Sequence, residues 1–382
     1  MRAFRLPTRV VLEAGCLSRL GEALAFCARK AHRVLLVSDP GLADTPWPKK
    51  AAALLRSAGI AAVESSDVEP NPRAATVEAL SELARQHEVG AVVGLGGGSV
   101  LDAAKAAAML AVNGGRIEDY EGAGKFTEGP LPFVAVPSTC GTGSEVTWVS
   151  VISVEERRAK ISVKGDGMFP DVALVDADLL STMPPHLVAW TGVDALTHAL
   201  EALTVKLANP ASDALAARAV ALITTFLPRA VAGIASDAES RQAMARASTL
   251  AGMAFGNADV GAVHCLSETL GGLYDVPHGL ANAVLLEPVL RSHGSSVEAP
   301  LAQLARQLGW SPLEAPDDTA AQAALARVQD LVRELAIPDF SSLGVSAEDF
   351  PEVARRAVAN GSNPSNPRPM GEAEYLKVLQ SL

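Results

Sequence analysis

Cysteine is scarce: the 382 residues include four, Cys16, Cys27, Cys140 and Cys265, and none lies in a CxxC pair. That spacing argues against a structural zinc knot or a disulfide frame and suits reduced thiols in a cytoplasmic protein. Basic residues are outnumbered, with 32 Lys plus Arg against 43 Asp plus Glu and a net charge of −11. A nucleic-acid partner would call for a basic patch, so that class is set aside. No run of about 18 apolar residues appears, as a spanning helix would need. The opening MRAFRLPTRV has no apolar core of the signal-peptide kind, and a cytoplasmic protein without a membrane partner is expected. Internal repeats and low-complexity segments are also missing. So are a GxGxxG fingerprint and a Walker GK[ST].

What is present is apolar and long. Hydrophobic residues make up 49% of the chain, enough for a sizeable core and for two domains. The first part alternates strand-like and helical runs. RVLLVS (33–38), IAAVES, VGAVVGLGGGS, PFVAVPST (132–139), VTWVSVISV and KISV read as strands, while PKKAAALLRSAG and TVEALSELARQHE have helical periodicity. Alternation of this kind implies a largely parallel sheet covered on both faces, with ligands where strands end and helices begin. After VALVDADLLSTMPP the chain reads as nearly all helical, with breaks at ANP (208–210), near Gly256, at VPHG (276–279) and through LEAPDD. NGSNPSNPRP (360–369) reads as a turn-rich connection before a last short helix. The expected division is an α/β dinucleotide-binding domain over 1–180 and an all-helical domain over 181–382.

Three features of the first part carry chemistry. In VVGLGGGSVLDAAKAAAML an apolar strand runs into Gly96, Gly97, Gly98 and Ser99 and straight into a helix. Glycines let backbone amides approach a pyrophosphate, and the positive helix end favours its charge. The loop PSTCGTGSEVT (137–147) also follows a strand, and its hydroxyls and glycines suit either a nucleotide or an ordinary polar turn. Asp39 follows RVLLVS directly, where an acid can accept from an adenosine ribose and repel a 2′-phosphate. The plainer reading is a turn residue ahead of Pro40-Gly41. In an ordinary Rossmann unit the ribose acid follows the glycine turn, whereas here it precedes it. If both bind one dinucleotide, the topology differs from the ordinary one.

In the helical part, VDALTHALEAL sets Asp194 and His198 four apart, on one helix face. Such a pair alone is more readily structural than functional. VHCLSETLGGLYDVPHG adds His264 and His278. One carboxylate and three imidazoles make a full donor set for Fe²⁺ or Zn²⁺, with a further position open to a substrate oxygen, provided the helices bring them together.

GGGSVLDAAKAAA, PSTCGTGSEVT, PDVALVDADLL, TGVDALTHALEAL and VPHG, in this order, resemble the iron-containing (group III) alcohol dehydrogenase family. The resemblance runs from VVLEAGCLSRLGEAL through EPNP (69–72) to NPRPMGEAEYLKVL, almost the whole chain. It implies a fold shared in outline with dehydroquinate synthase, with an N-terminal α/β domain, a C-terminal helical domain and a metal in the cleft between them. It also implies metal ligands at Asp194, His198, His264 and His278, and a phosphate turn at Gly96, Gly97, Gly98 and Ser99. Nicotinamide and ribose contacts are implied near Asn71, Ser138, Thr139, Thr142, Thr147 and Lys160. Asp39 matches the acid of members that prefer NAD over NADPH. A homodimer or larger homo-oligomer is implied as well.

One position departs from the family pattern. Many members carry HxxxH, its second histidine near the nicotinamide, whereas this chain reads His264-Cys265-Leu266-Ser267-Glu268. A carboxylate there can serve as a base, join the metal shell, attract a cationic or polyhydroxylated substrate, or simply be paired elsewhere. The expected activity interconverts an alcohol and an aldehyde or ketone with NAD(H), the metal acting as Lewis acid. The alternatives are a lyase of the dehydroquinate-synthase type, disfavoured because Lys206 is the only basic residue near the ligands besides the histidines themselves, and a non-catalytic NAD sensor.

Overall fold

The computed structural model describes residues 4–28 and 31–382. Its strands are β1 (Arg9–Leu12), β2 (Arg33–Val37), β3 (Ala61–Ser65), β4 (Ala91–Gly96), β5 (Gly122–Ala123), β6 (Phe133–Pro137), β7 (Val149–Val154), β8 (Ala159–Lys164) and β9 (Val172–Val175). Among them run the helices α1 (Leu20–Cys27), α2 (Trp47–Ser57), α3 (Ala74–Gln86) and α4 (Gly98–Asn113). Six strands form one sheet in the order β1-β9-β6-β4-β2-β3, with every pairing parallel. Alternate residues of each strand feed opposite faces. Leu35, Val37, Val92, Phe133 and Ala135 join a core with α3 and α4, while Val34, Leu36, Val93, Leu95, Val134 and Val136 join one with α1 and α2. The near-continuous apolar runs of the sequence follow from burial on both faces.

VTWVSVISV and KISV do not extend this sheet. β7 and β8 form an antiparallel hairpin in a separate sheet ordered β5-β8-β7. The link between them, residues 155–158, is too short for a crossover, so the strands must turn back on themselves. Arg158 takes the left-handed conformation at the turn (φ 44).

From Pro185 onward the described residues are helical. The helices are α5 (Pro185–Thr204), α6 (Pro210–Gly233), α7 (Ala238–Phe255), α8 (Ala262–Tyr274), α9 (His278–Ser292), α10 (Glu298–Gln307), α11 (Asp317–Glu334), α12 (Phe350–Val358) and α13 (Glu372–Gln380). Proline opens α5 and α6 at a position where its missing N–H costs nothing. α6 is long and apolar enough to cross a membrane by length and composition alone. It nonetheless carries Asp213, Arg218 and Arg229 and buries one face through Ala216, Ala219, Ile223 and Leu227, as a core helix does.

Two compact units result. One comprises Leu6–Pro184 with Gly233–Thr249; the other comprises Pro185–Ala232 and Leu250–Leu382. Most of α7 therefore belongs with the α/β elements. Thr249 donates to a Glu145 carboxylate oxygen at 2.7 Å, and Arg241 lies 3.8 Å from Asp178.

His293 closes α9 and is 5% exposed, with a buried Nδ1 that has no hydrogen-bond partner among the described residues. Burial pushes its imidazole down to about 4, the Glu201 charge opposing and Arg368 adding to the shift. Between that value and about 6.5, the unfolded value, the unfolded chain binds more protons. Stability from neutral His293 is therefore full above the upper value and is lost as pH falls toward the lower one. Denaturant unfolding at pH 7 and pH 4.5 is expected to show wild type losing about 2 kcal/mol more than His293→Leu. Equal losses would remove His293 as an acid-sensitive element.

Candidate metal centre and nucleotide turn

In the α/β unit the suspected nucleotide residues leave the same end of adjacent strands. β2 pairs with β4 (Val37 opposite Gly94), and β4 pairs with β6 (Gly96 opposite Pro137). Asp39, the turn at 97–99 and the loop at 138–147 thus follow the C-terminal ends of three neighbouring strands. The chain reverses direction across the sheet there: β3 lies on one side of β2 and β4 on the other, which is where open α/β sheets bind ligands. Strand order, not sequence proximity, brings the early acid beside the later glycines.

The glycines serve close approach. A Cβ on Gly96 would collide with the Val100 side chain, and one on Gly98 with the Thr142 side chain. Gly97 lies under Thr139, where an added Cβ would sit 3.1 Å from the methyl carbon. Gly97 also caps α4 without offering a side-chain acceptor, which leaves first-turn amides available to an anion. Ser99 is half-buried, and the Ser138 N–H donates to Gly96 O at 2.9 Å. Thr147 is buried, its hydroxyl 3.4 Å from Ser144 O. Asn71 adopts φ 55, and its side-chain oxygen accepts from Lys160 Nζ at 2.8 Å. Burial raises the Asp39 carboxyl, offset in part by the Gly41 and Leu42 amides.

A buried charge cluster, not anticipated above, stiffens the 138–147 loop. Lys105 is 2% exposed and donates from Nζ to Ser144 O (2.9 Å), Ser144 Oγ (3.0 Å), Thr147 O (3.2 Å) and Val149 O (2.8 Å). Ser144 Oγ donates in turn to Asp102 at 2.6 Å, and Asp102 also accepts from Val151 N at 2.9 Å. Burial pushes Lys105 down to about 8 against the pull of Asp102 and Glu145, and burial raises Asp102 and Glu145. An Asp and a Lys three apart on an otherwise alanine-rich helix were the available signal.

In the helical unit, Asp194 and His198 lie on α5, His264 on α8, and His278 at the first residue of α9. The α8–α9 break places His278. Asp275 ends α8 in the left-handed conformation (φ 55), and Pro277 precedes the new helix. Gly279 lets α9 lie against α5, since a Cβ there would stand 2.8 Å from Trp190 O. One donor atom from each of Asp194, His198, His264 and His278 falls within 4.8 Å of all the others. Asp194 Oδ1 lies 3.9 Å from His198 Nδ1 and 3.8 Å from His278 Nε2. The Phe255 ring stacks on His198 at 4.2 Å.

Glu201 and Asn282 complete this cluster. Glu201 Oε2 lies 2.6 Å from His264 Nδ1, and Oε1 accepts from Val263 N at 2.8 Å. Burial alone would raise Glu201, but the charge and hydrogen bond of His264 leave it lowered; the same pair leaves His264 raised despite its burial. Glu201 sits seven residues after Asp194 and Asn282 four after His278, helix-face spacings that could have flagged both. Nδ1 of His264 is engaged by Glu201, which leaves Nε2 for the cluster, as metal-bound histidines require. Three imidazoles and one carboxylate so close together fit a divalent transition metal.

Glu268 is one turn beyond His264 on the same face of α8. Asn360 Nδ2 donates to its Oε2 at 2.6 Å, its Oε1 has no hydrogen-bond partner among the described residues, and its charge acts on His264.

Comparison with known proteins places the chain. Residues 7–177 match the model of the iron-containing alcohol dehydrogenases, and residues 188–382 match the C-terminal model of the Fe-containing alcohol dehydrogenase family. Alcohol dehydrogenase 4 of Schizosaccharomyces pombe is 37% identical across 99% of this chain and 88% of its own length. NAD-dependent methanol dehydrogenase of Bacillus methanolicus is 35% identical across 100% of both. The crystal structure of a 1,3-propanediol oxidoreductase superposes with a TM-score of 0.96 at 37% identity, covering 100% of this chain and 99% of that one. With both halves matched and relatives aligned along nearly its full length, the chain belongs to the iron-containing alcohol dehydrogenase family.

Proposed function

We propose that this alcohol dehydrogenase interconverts a small alcohol and its aldehyde or ketone using NAD(H) and a divalent iron or zinc ion. The observation that carries this reading is the convergence of Asp194, His198, His264 and His278 within 4.8 Å. A metal held there supplies Lewis-acid polarisation of an alcohol or carbonyl oxygen, and NAD supplies the hydride chemistry. The chain's own residues do the rest. Glu201 fixes the His264 ring so that Nε2 faces the donors. The amides at residues 97–99 bind pyrophosphate, with Ser138, Thr139, Thr142 and Thr147 lining the adjoining loop. Asn71 and Lys160, already paired, hold the nicotinamide ribose. Asp39 accepts from the adenosine ribose and repels a 2′-phosphate. Glu268 faces substrate with Oε1, as proton acceptor or as partner for a further polar group.

A cytoplasmic location accords with the acidic balance and with free, mostly buried cysteines. The family resemblance supports a homodimer or larger homo-oligomer. No observation favours the lyase or the NAD-sensing alternative.

Three variants test the assignments. His198→Ala is expected to lose bound metal and to lower turnover by more than about a hundredfold, since a ligand outweighs its supporting partners, while keeping its circular dichroism. Wild-type turnover in metal-free H198A would overturn the metal role. Asp39→Gly is expected to raise the NADPH-to-NADH ratio of kcat/KM by about tenfold or more, and an unchanged ratio would count against Asp39. Glu268→Gln is expected to shift the pH profile, or to cut kcat/KM about tenfold for diols and amino alcohols relative to simple alcohols. Kinetics identical to wild type would leave Glu268 a paired surface acid.

A further inference from the structure

Asn282 is completely buried, one turn into α9 from His278. Its Nδ2 lies 2.6 Å from Asp194 Oδ1, 3.2 Å from His278 Nε2 and 3.3 Å from His264 Nε2. A single amide nitrogen thus touches three of the four clustered donors, from three different helices. Its Oδ1 is equally buried and has no hydrogen-bond partner among the described residues. A buried amide that served packing alone would be expected to satisfy both ends. This one spends its donors on the cluster and leaves its acceptor unused.

We infer that Asn282 is a positioning residue for the metal centre, holding Asp194 and the two imidazoles in ligating geometry. The inference rests on the metal-binding reading above. Two N–H bonds serve three neighbours. The carboxylate contact is the shorter and is charge-assisted, and the second bond goes to one of the imidazoles. In the protein without metal, the amide thereby supplies part of the positive potential that a cation would provide and keeps the acceptors from dispersing. When a cation takes the imidazole lone pairs, the bond to Asp194 Oδ1 persists and fixes that carboxylate's orientation. The arrangement differs from the Glu201–His264 pair, which acts on the far side of one ligand ring. Asn282 acts at the donor atoms themselves.

The test uses the full chain, stripped with a chelator and titrated with Co²⁺ against a competing dye, with the visible bands of bound Co²⁺ as a second readout. Asn282→Leu fills the same space without a donor. It is expected to bind Co²⁺ at least about tenfold more weakly, as loss of a ligand's hydrogen-bond partner does, and to alter the Co²⁺ bands. Asn282→Ala decides the matter should the leucine variant lose its helical circular dichroism, and the same weakening is expected. Wild-type affinity together with wild-type bands in a folded variant would overturn the role of Asn282. Failure of the wild-type protein to take up Co²⁺ would instead overturn the metal reading itself, and Asn282 with it.

Discussion

The helical unit is built around an unfavourable juxtaposition. Asp194 is 1% exposed, His198 4% and His264 3%, and a second carboxylate, Glu201, is buried directly behind His264. Charges and lone pairs collected away from water are costly unless each is matched by a partner. The local answers are visible. Asn282 donates into the cluster, His264 is locked to Glu201, and Phe255 covers His198. Together they gather one carboxylate and three imidazoles into a donor set that would suit a dication. The close approach of the helices serves the same end: Gly192 makes room for Leu227 against α5, and Gly279 lets α9 rest on the α5 backbone. Larger residues at either place would push the donors apart.

The α/β unit meets a different demand, the close packing of loops against a helix N-terminus. Parallel strands buried on both faces deliver three loops to one end of the sheet, and the glycines let α4 and the 138–147 loop pack without side chains between them. Lys105 then ties that loop to α4 through Ser144 O, Ser144 Oγ and Thr147 O. Because it is buried, its ammonium cannot trade these bonds for water, so the loop is held at one geometry.

Much of this was legible in the sequence, for physical reasons. Continuous apolar runs mark β2 and β4, and 3.6-residue patterns mark α3 and the helical half, because burial imposes them. Asp194 and His198 were readable as a pair because a helix fixes their spacing. Their meeting with His264 and His278 was not, since it depends on how three helices pack; the family resemblance supplied it. Hairpin β7–β8 read as strands, but its separation from the main sheet depends on the short connection. Lys105, Asp102, Glu201 and Asn282 do not stand out in the sequence, because a polar residue in an apolar helix looks alike whether it faces solvent or a buried partner. Glu268 stood out in the sequence, and its tie to Asn360, 92 residues away, appears only in three dimensions.

The central claim is that four side chains from three helices form one metal centre. X-ray absorption at the iron edge of protein loaded anaerobically with Fe²⁺ tests it most directly. The account predicts a first shell of nitrogen and oxygen only, at about 2.0–2.2 Å, with the outer-shell scattering of three imidazole rings. A sulfur-containing shell, or iron surrounded by water oxygens without imidazole scattering, would contradict it.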